Sequence, residues 1–507
     1  MFNKVLIANR GEIAVRIMRT CRDMGVTSVA VYSEADATAL HTRYADEAYC
    51  IGPPPAAQSY LDAKKIIETA RACGAEAIHP GYGFLSERAE FGRACAEAGI
   101  VFIGPSPETL RKLGDKVEAL RIAANAGVPS VPGSGGRVTP PEALALAPRI
   151  GFPLMIKAAA GGGGKGIRLV EDASTLEQSL RVAAQEAQAS FGDDGLYLER
   201  YLDPVRHVEV QVLADRQGNF VHLGERECSV QRRSQKVVEE SPSVAVDAAL
   251  RERLGAAAVA IAREAGYENA GTIEFPLDAT GSFYFIEANA RLQVEHPVTE
   301  LVAGLDLVRE QLRIAAGEPL GFRQGDVDLR GWAIECRITA EDADSGFMPA
   351  LGVAHHVNEP SGPGVRVDSC LFDGYEVGPH YDSLLSKLIV YGHDREHALS
   401  RLRRALDEYQ VLGVKTTLAF HRRLADDPAF VRGDIDTRFL DRRFQFEAAS
   451  AEHGDHAMVV AALLSHQRRS GGDGNGAVPG QASRWRSAGR QAAADRAPGG
   501  GRWRSTS

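Results

Sequence analysis

The 507-residue chain lacks the features that would place it outside a reducing, water-filled compartment. Its seven cysteines, Cys21, Cys50, Cys73, Cys95, Cys228, Cys336 and Cys370, are odd in number and widely spaced, with no C-x-x-C pair. A disulfide framework and a cysteine zinc site are therefore excluded. No stretch approaches the ~20 apolar residues of a membrane span. The opening MFNKVLIANRGE reaches Arg10 before a signal-peptide core can form. A cytoplasmic chain with no membrane partner is the expectation. A net charge of −9 leaves no basic excess for nucleic acid, though one local positive site still suffices for a phosphorylated ligand. Lysine is also missing from one region: the last is Lys415, and none of the six methionines adjoins a lysine.

What is present alternates. Val5-Leu6-Ile7-Ala8, Val26 to Tyr32, Ala77-Ile78 and Ile100 to Ile103 are short apolar strand runs, and a helical stretch begins at Gly11. Strands with helices between them predict a parallel α/β sheet. It is Rossmann-like in outline only, because Asn9-Arg10-Gly11-Glu12 stands where a dinucleotide fold carries G-x-G-x-x-G. Pro129 to Gly136 is a turn-rich junction. A long mixed α+β stretch follows to about 317, and a third mixed region runs from Trp332 to about Phe444. Beyond it Gly, Arg, Ala and Ser dominate. Such a composition cannot offset its ordering entropy, so residues 446–507 are expected to be a disordered, low-complexity tail.

Three clusters carry chemistry. Lys157-Ala-Ala-Ala-Gly-Gly-Gly-Gly-Lys165-Gly166 joins two strand-like runs. Its glycines allow close backbone approach to a phosphate, and a lysine flanks each side. It is not a Walker A loop, because Ala159 and Gly166 stand where that pattern needs Gly and Ser or Thr. On the loop alone, a flexible hairpin turn is an equal reading. Next, Thr272-Ile273-Glu274-Phe275 and Ser282 to Glu287 are strand-like and flank a turn. Each carries a carboxylate among large apolar residues, which suggests a shared divalent cation. From Glu287 to Glu295 every odd position is polar. An extended run would then turn Glu287, Asn289, Arg291, Gln293 and Glu295 to one side, suiting a metal and a small planar anion such as bicarbonate. Third, Arg206 to Val212 alternates, placing His207, Glu209 and Gln211 together. The charge-dense Glu225 to Glu240 reads by itself as a solvated loop, and Cys228 as a small buried hydrophobe.

Taken in order, these motifs resemble the biotin carboxylase family, a branch of the ATP-grasp ligases. The resemblance runs through IANRGEIA (7–14), HPGYGFLSE (79–87), GDK (114–116), GGGGKG (161–166), RHVEVQVLAD (206–215), ERECSVQRRSQKVVEE (225–240), the 287–297 segment, ECRITAED (335–342) and YDSLLSKLIVYG (381–392). It covers about residues 1–445 and implies a multi-domain α/β and α+β architecture. That architecture has a Rossmann-like N-terminal domain (1–115), an ATP-grasp domain (116–317) and a C-terminal biotin carboxylase domain (331–445).

The resemblance also implies roles. Lys116 and Lys157 would hold the phosphates of ATP, and Gly163 and Gly164 lie in the flap over them. Glu199, Arg200, Tyr201 and Leu202 would receive adenine, with His207 and Gln231 as further nucleotide contacts. Glu274 and Glu287, with Asn289, would bind Mg²⁺ or Mn²⁺. Lys236, Arg291, Gln293 and the backbone of Val294 would bind bicarbonate. Glu295 would be the general base, and Arg337 would stabilise the biotin enolate. Ser234 departs from the histidine common in the family, and Ala160 from a flap glycine. The implied partners are a biotin carboxyl carrier protein and carboxyltransferase subunits, with this chain a homodimer. Biotin is expected to be a carrier-bound substrate, not attached to this chain.

Two other readings stay open. Another ATP-grasp ligase would share the lysines and metal carboxylates, but would not account for Arg291, Gln293 and Glu295 together with Arg337. An NAD-binding module would need the missing glycine fingerprint. The final acceptor is acetyl-CoA, another acyl-CoA or pyruvate; the first two are favoured, which places the chain in fatty acid biosynthesis.

Overall fold

A computed structural model describes residues 1–158 and 167–444. The expected flap loop with Gly163 and Gly164, and the expected tail, lie outside the described residues.

β1 (Lys4–Ile7) buries Val5, Leu6 and Ile7 completely. α1 (Gly11–Asp23) follows and sets Ile13, Ile17 and Cys21 at four-residue spacing, one stripe against the sheet. β2 (Thr27–Ser33), β3 (Glu47–Gly52), β4 (Ala77–His79) and β5 (Val101–Phe102) complete a five-stranded parallel sheet, ordered β3-β2-β1-β4-β5. The expected Rossmann-like α/β region is therefore present. β3 carries no strand signal in its sequence: it is an edge strand, and Ala48, Tyr49 and Cys50 are exposed. Beyond β1, Asn9 Nδ2 donates to Pro80 O (2.8 Å) and Tyr82 O (2.7 Å). Only glycine fits between those two carbonyls. Gly81 has φ +63°, and a Cβ there would meet Asn9 Nδ2 at 2.9 Å.

β6 (Leu154–Ala158), β7 (Ile167–Val170) and β8 (Leu196–Arg200) form a small antiparallel sheet ordered β7-β6-β8. It packs with the helices Pro140–Ile150 and Leu176–Phe191 around a core of its own, including Leu154, Ile156, Leu180 and Leu198.

The largest sheet has eight strands. β9 (Val205–Ala214), β10 (Phe220–Arg232), β11 (Gln235–Ser241), β12 (Asn269–Asp278), β13 (Glu287–Asn289) and β14 (Trp332–Thr339) join the strands Leu384–Gly392 and Val365–Ser369. The order is β13-β12-β9-β10-β11-β14, then 384–392, then 365–369, and every pairing is antiparallel. The β11–β14 pairing (Val238↔Cys336, Glu239↔Glu335) carries the sheet across the chain between residues 317 and 331 without a break.

Two local expectations are corrected. Residues 225–240 are not a solvated loop but paired strands, with Glu225, Arg226, Glu227, Glu239 and Glu240 all buried. Their charges are matched by partners from other segments, Arg251 for Glu225, Glu209 for Arg226, Arg206 for Glu227, Arg337 for Glu239 and Arg395 for Glu240, which a local composition signal cannot register. The alternating stretch from Glu287 is a strand only as far as Asn289. Glu295 takes the N-cap position of the helix His296–Ala303. Pro297 explains the change: it has no N–H for a ladder, and its fixed φ suits a first helical turn. Upstream, Phe283 and Phe285 make isolated bridges rather than a regular strand. Among the described residues, no helix is long and apolar enough to cross a membrane.

Candidate functional site

Strand register builds the site. Glu287 lies opposite Glu274, Glu274 opposite Glu209, and Glu209 opposite Arg226, stepping from β13 across β12 and β9 to β10. Farther along, Glu239 opposes Glu335, Arg337 opposes Lys387, and Lys387 opposes Asp368. Opposed residues share a sheet face, so a band of charge crosses the whole sheet on one side. A register shift in β11 between Lys236 and Val238 lets both Lys236 and Glu239 join that face, although odd spacing would separate them.

Glu295 is the meeting point. It is fully buried; Oε1 accepts from Lys236 Nζ at 2.7 Å and Oε2 from Arg337 Nη2 at 2.9 Å. Burial pushes its carboxyl up, but Lys236, Arg337 and Arg226 outweigh this and hold it well below the usual carboxylate range. Lys236 also donates to Glu209 (2.5 Å) and Glu274 (2.9 Å), which uses all three ammonium protons. Against its own desolvation, those carboxylates raise it well above the usual lysine range. Arg226 is wholly buried and binds Glu209, Gln211, Thr272 and Thr299, the last from the helix that Glu295 caps.

Asn289, Arg291 and Gln293 stay together although the strand ends at Asn289. Arg291 Nη2 donates to Asn289 Oδ1 (2.9 Å) and Nη1 to Gln293 Oε1 (3.0 Å), while its Nε lies 3.1 Å from Glu87. Asn289 and Gln293 in turn donate to Glu274 Oε1, at 2.9 and 3.3 Å. His207 Nε2 lies 2.9 Å from the other oxygen of Glu274. Burial raises the Glu274 carboxyl, but Lys236 and His207 overcome it and hold Glu274 below its ordinary range. Glu287, open to solvent, is pushed up chiefly by the Glu274 charge opposite it. Two opposed carboxylates that repel, with an amide oxygen beside them, fit a hard divalent cation. His207, Glu209 and Glu274 also converge closely enough to share an ion, but Lys236 already neutralises that corner.

The nucleotide candidates fall into two groups. Lys116 opens the helix Lys116–Asn125, capped by Asp115, and burial together with the charge of Lys157 lowers it. Two converging ammonium groups make a place for an anion. Lys157 on β6 is ion-paired with the buried Glu199 on β8, so these two side chains satisfy each other. Arg200 N donates to Pro132 O (2.7 Å) and Tyr201 N to Pro153 O (2.9 Å), fixing the segment that ends at Leu202. Gln231 Nε2 donates to Cys228 O at 2.8 Å. Val294 O accepts from the buried Lys387 Nζ at 2.9 Å.

Arg337 bridges two carboxylates: its Nε donates to Glu239 Oε1 at 2.6 Å, and its Nη2 lies 2.5 Å from the same oxygen and 2.9 Å from Glu295 Oε2. Sequence reasoning passed over Glu239, Arg226, Glu335 and Lys387. Arg226 and Glu239 were hidden in the charge run, and the available signal was their face parity against His207 and Glu209.

The biotin carboxylase N-terminal domain family matches residues 1–110, and the biotin carboxylase C-terminal domain family matches 335–442. The ATP-binding domain family of the carbamoyl-phosphate synthase L chain matches 115–323 between them. The biotin carboxylase of Nostoc sp. is 53% identical over 440 residues, covering 87% of this chain and 98% of the relative. A pyruvate carboxylase component from Methanothermobacter thermautotrophicus is 52% identical over 442 residues, covering 87% and 90%. The biotin carboxylase domain dimer of Hydrogenobacter thermophilus 2-oxoglutarate carboxylase was solved with MgADP, ADP and bicarbonate. It superposes with a TM-score of 0.84 at 48% identity, covering 87% of this chain and 97% of that one. With all three domain families matched in order and half of the residues shared with such relatives, the chain belongs to the biotin carboxylase family, the ATP-dependent ligases that carboxylate biotin.

Proposed function

We propose that this chain carboxylates biotin presented by a separate carrier protein, as the first half-reaction of an acetyl-CoA or other acyl-CoA carboxylase. The observation that carries the chemistry is Glu295, a buried carboxylate kept ionised between Lys236 and Arg337. It is a base held next to the groups that bind an anion on one side and stabilise an enolate on the other.

Lys116 and Lys157 hold the phosphates of ATP, while Glu199 to Leu202, His207 and Gln231 position its base and sugar. Glu274, Glu287 and Asn289 hold Mg²⁺ or Mn²⁺, which supplies charge neutralisation at the phosphates when bound. Lys236, Arg291, Gln293 and the backbone of Val294 orient bicarbonate. Glu295 takes its proton as an oxygen attacks the γ-phosphorus and ADP leaves. Carboxyphosphate then releases CO₂ and phosphate, and the phosphate takes the N1 proton of biotin. Arg337 faces the resulting enolate oxygen while N1 bonds to CO₂. Lys157 must leave Glu199, and Lys236 must loosen from its carboxylates, for phosphates and bicarbonate to enter.

The relatives serve different acceptors, so the preference for acyl-CoA rests on the reading of the sequence alone. The test is ADP release in four mixtures, with and without bicarbonate and free biotin, at saturating Mg-ATP. Turnover dependent on bicarbonate and raised by biotin is expected; turnover indifferent to both overturns the proposal. Assembly with the carboxyltransferase that co-purifies with this chain identifies the acceptor. The chain is expected to be a homodimer, read as twice the chain mass by light scattering at micromolar concentration.

A further inference from the structure

Behind Arg337 lies a second carboxyl for which the proposed reaction has no use. Glu335 is fully buried, and neither of its oxygens has a hydrogen-bond partner among the described residues. Glu239, directly opposite on β11, is also fully buried; its Oε1 holds Arg337 and its Oε2 has no partner. Directly opposed residues of an antiparallel pair stand about 5 Å apart at Cβ and project to one face. Three unpartnered carboxyl oxygens are therefore carried by directly opposed, fully buried side chains on one face of the sheet. Two carboxylates cannot hydrogen-bond each other, and leaving both charged there is costly. A carboxylic acid and a carboxylate can, at the expense of one proton.

The surroundings indicate which carboxyl keeps the proton. Arg337 touches Glu239 and Glu295 but not Glu335. Lys387 faces Glu335 from the strand Leu384–Gly392, but its ammonium is taken up by Val294 O and by Glu12 Oε2 at 3.3 Å, with Asp368 at 3.9 Å. Tyr82, from the loop after β4, is bound to Glu12. Lys236 on β11 adds a positive field on the Glu239 side. Burial accordingly raises the Glu335 carboxyl well above its ordinary range, and the Glu239 carboxyl to about 7.

We propose that Glu335 and Glu239 form an acid–carboxylate pair, with the proton on Glu335, that positions Arg337 for the enolate-forming step. This rests on the proposed function. In the resting site the guanidinium is shared between Glu239 and Glu295. When Glu295 accepts the proton of bicarbonate it becomes neutral and its hold on Arg337 weakens. Glu239, which both Nε and Nη2 of Arg337 approach, then remains as the single anchor, and the guanidinium is free to turn about that anchor toward the ureido oxygen. The neutral acid of Glu335 donates to Glu239 without adding a second negative charge, so Arg337 keeps its positive field for the substrate. Both glutamates are positioning residues, since neither touches a reacting atom.

The test separates two activities of the full chain: bicarbonate-dependent ATP cleavage without biotin, and carboxylation of free biotin. Glu239→Gln is expected to lower biotin carboxylation by about 10²-fold, the scale of a misplaced charge-stabilising donor. It should change biotin-free ATP cleavage by less than about threefold, because Glu239 holds Arg337 and contacts none of the proposed nucleotide, metal or bicarbonate residues. Glu335→Leu removes the donor at similar volume and is expected to lower biotin carboxylation about tenfold. Glu335→Gln keeps an N–H for Glu239 and should recover most of that loss. Equal losses of both activities in Glu239→Gln, or Glu335→Gln no better than Glu335→Leu, overturn the pair. Thermal melting of each variant excludes global unfolding. If the wild-type chain shows no bicarbonate-dependent cleavage, the function itself fails. If the wild type works and the variants do not split, only the pair fails.

Discussion

Arg337 and Glu295 show how single residues here depend on their neighbours. A guanidinium between two buried carboxylates is costly to desolvate and strongly held once paired, so its removal leaves Glu239 and Glu295 short of a counter-charge. Arg337→Ala is expected to lower biotin carboxylation by ~10²–10³. ATP affinity should be nearly unchanged, because the proposed phosphate lysines, Lys116 and Lys157, make no contact with it. Isothermal titration with ATP beside a carboxylation assay checks this, and a matching loss of ATP affinity would contradict the assigned role. Much of this site was legible from residue types alone. Glu274 was picked out as a carboxylate among large apolar residues, and Glu287, Asn289, Arg291, Gln293 and Glu295 by alternation of polar and apolar positions; the structure keeps them together. The conformation behind that pattern was not legible, because polarity alternates equally well in a strand and in a strand followed by a capped turn. Arg226, Glu239, Glu335 and Lys387 escaped notice because the groups packed around them come from segments far away in sequence.

The next scale is the element, and the junction before the small β7-β6-β8 sheet is the sharpest case. Gly133 bridges Glu199 on β8, Ser134 N donates to Leu198 O at 2.8 Å, and Arg200 N donates to Pro132 O. A Cβ on Gly133 would sit 2.2 Å from Leu198 O, a backbone atom that cannot rotate away. Gly133→Ala must therefore displace β8, at a cost of about 1–3 kcal/mol. Because β8 leads into the proposed adenine segment, a several-fold rise in KM for ATP is expected with a lowered Tm, and KM for bicarbonate should stay close to wild type. Unchanged ATP kinetics would detach this segment from the nucleotide. Elements were read well where apolar residues formed uninterrupted runs, as in β1, β2 and β6. They were read poorly where burial came from ion pairing, as in β10 and β11, or where an edge strand stayed half in solvent, as in β3.

At the scale of the whole molecule, the buried carboxyls give stability a pH dependence with two opposite signs. Glu274 and Glu295 are held below their unfolded values, so their contribution is present above pH ~4.5 and is lost as pH falls through their native values. Glu335 runs the other way. Its native value lies well above the unfolded one, so the folded protein binds an extra proton above pH ~4.5. Stability then falls as pH rises toward that native value. Glu335→Leu removes the second dependence only. Its Tm relative to wild type should climb as pH rises from 5 to 8, which scanning calorimetry over that range measures; a constant difference would mean that Glu335 does not hold its proton.

The unbroken sheet has a further consequence for how the chain can be divided. Its ATP-binding and C-terminal portions meet as neighbouring strands, β11 against β14, rather than as two finished surfaces. Cutting the gene after residue 330 would leave β11 with a naked row of N–H and C=O groups along a strand bearing Val237 and Val238. Such an edge is a template for pairing with other copies. The fragment 1–330 is therefore expected to precipitate or form β-rich oligomers on expression, and co-expressed 331–444 should restore solubility by supplying β14. A soluble, monomeric 1–330 fragment in size-exclusion chromatography would show that the edge finds cover within its own half.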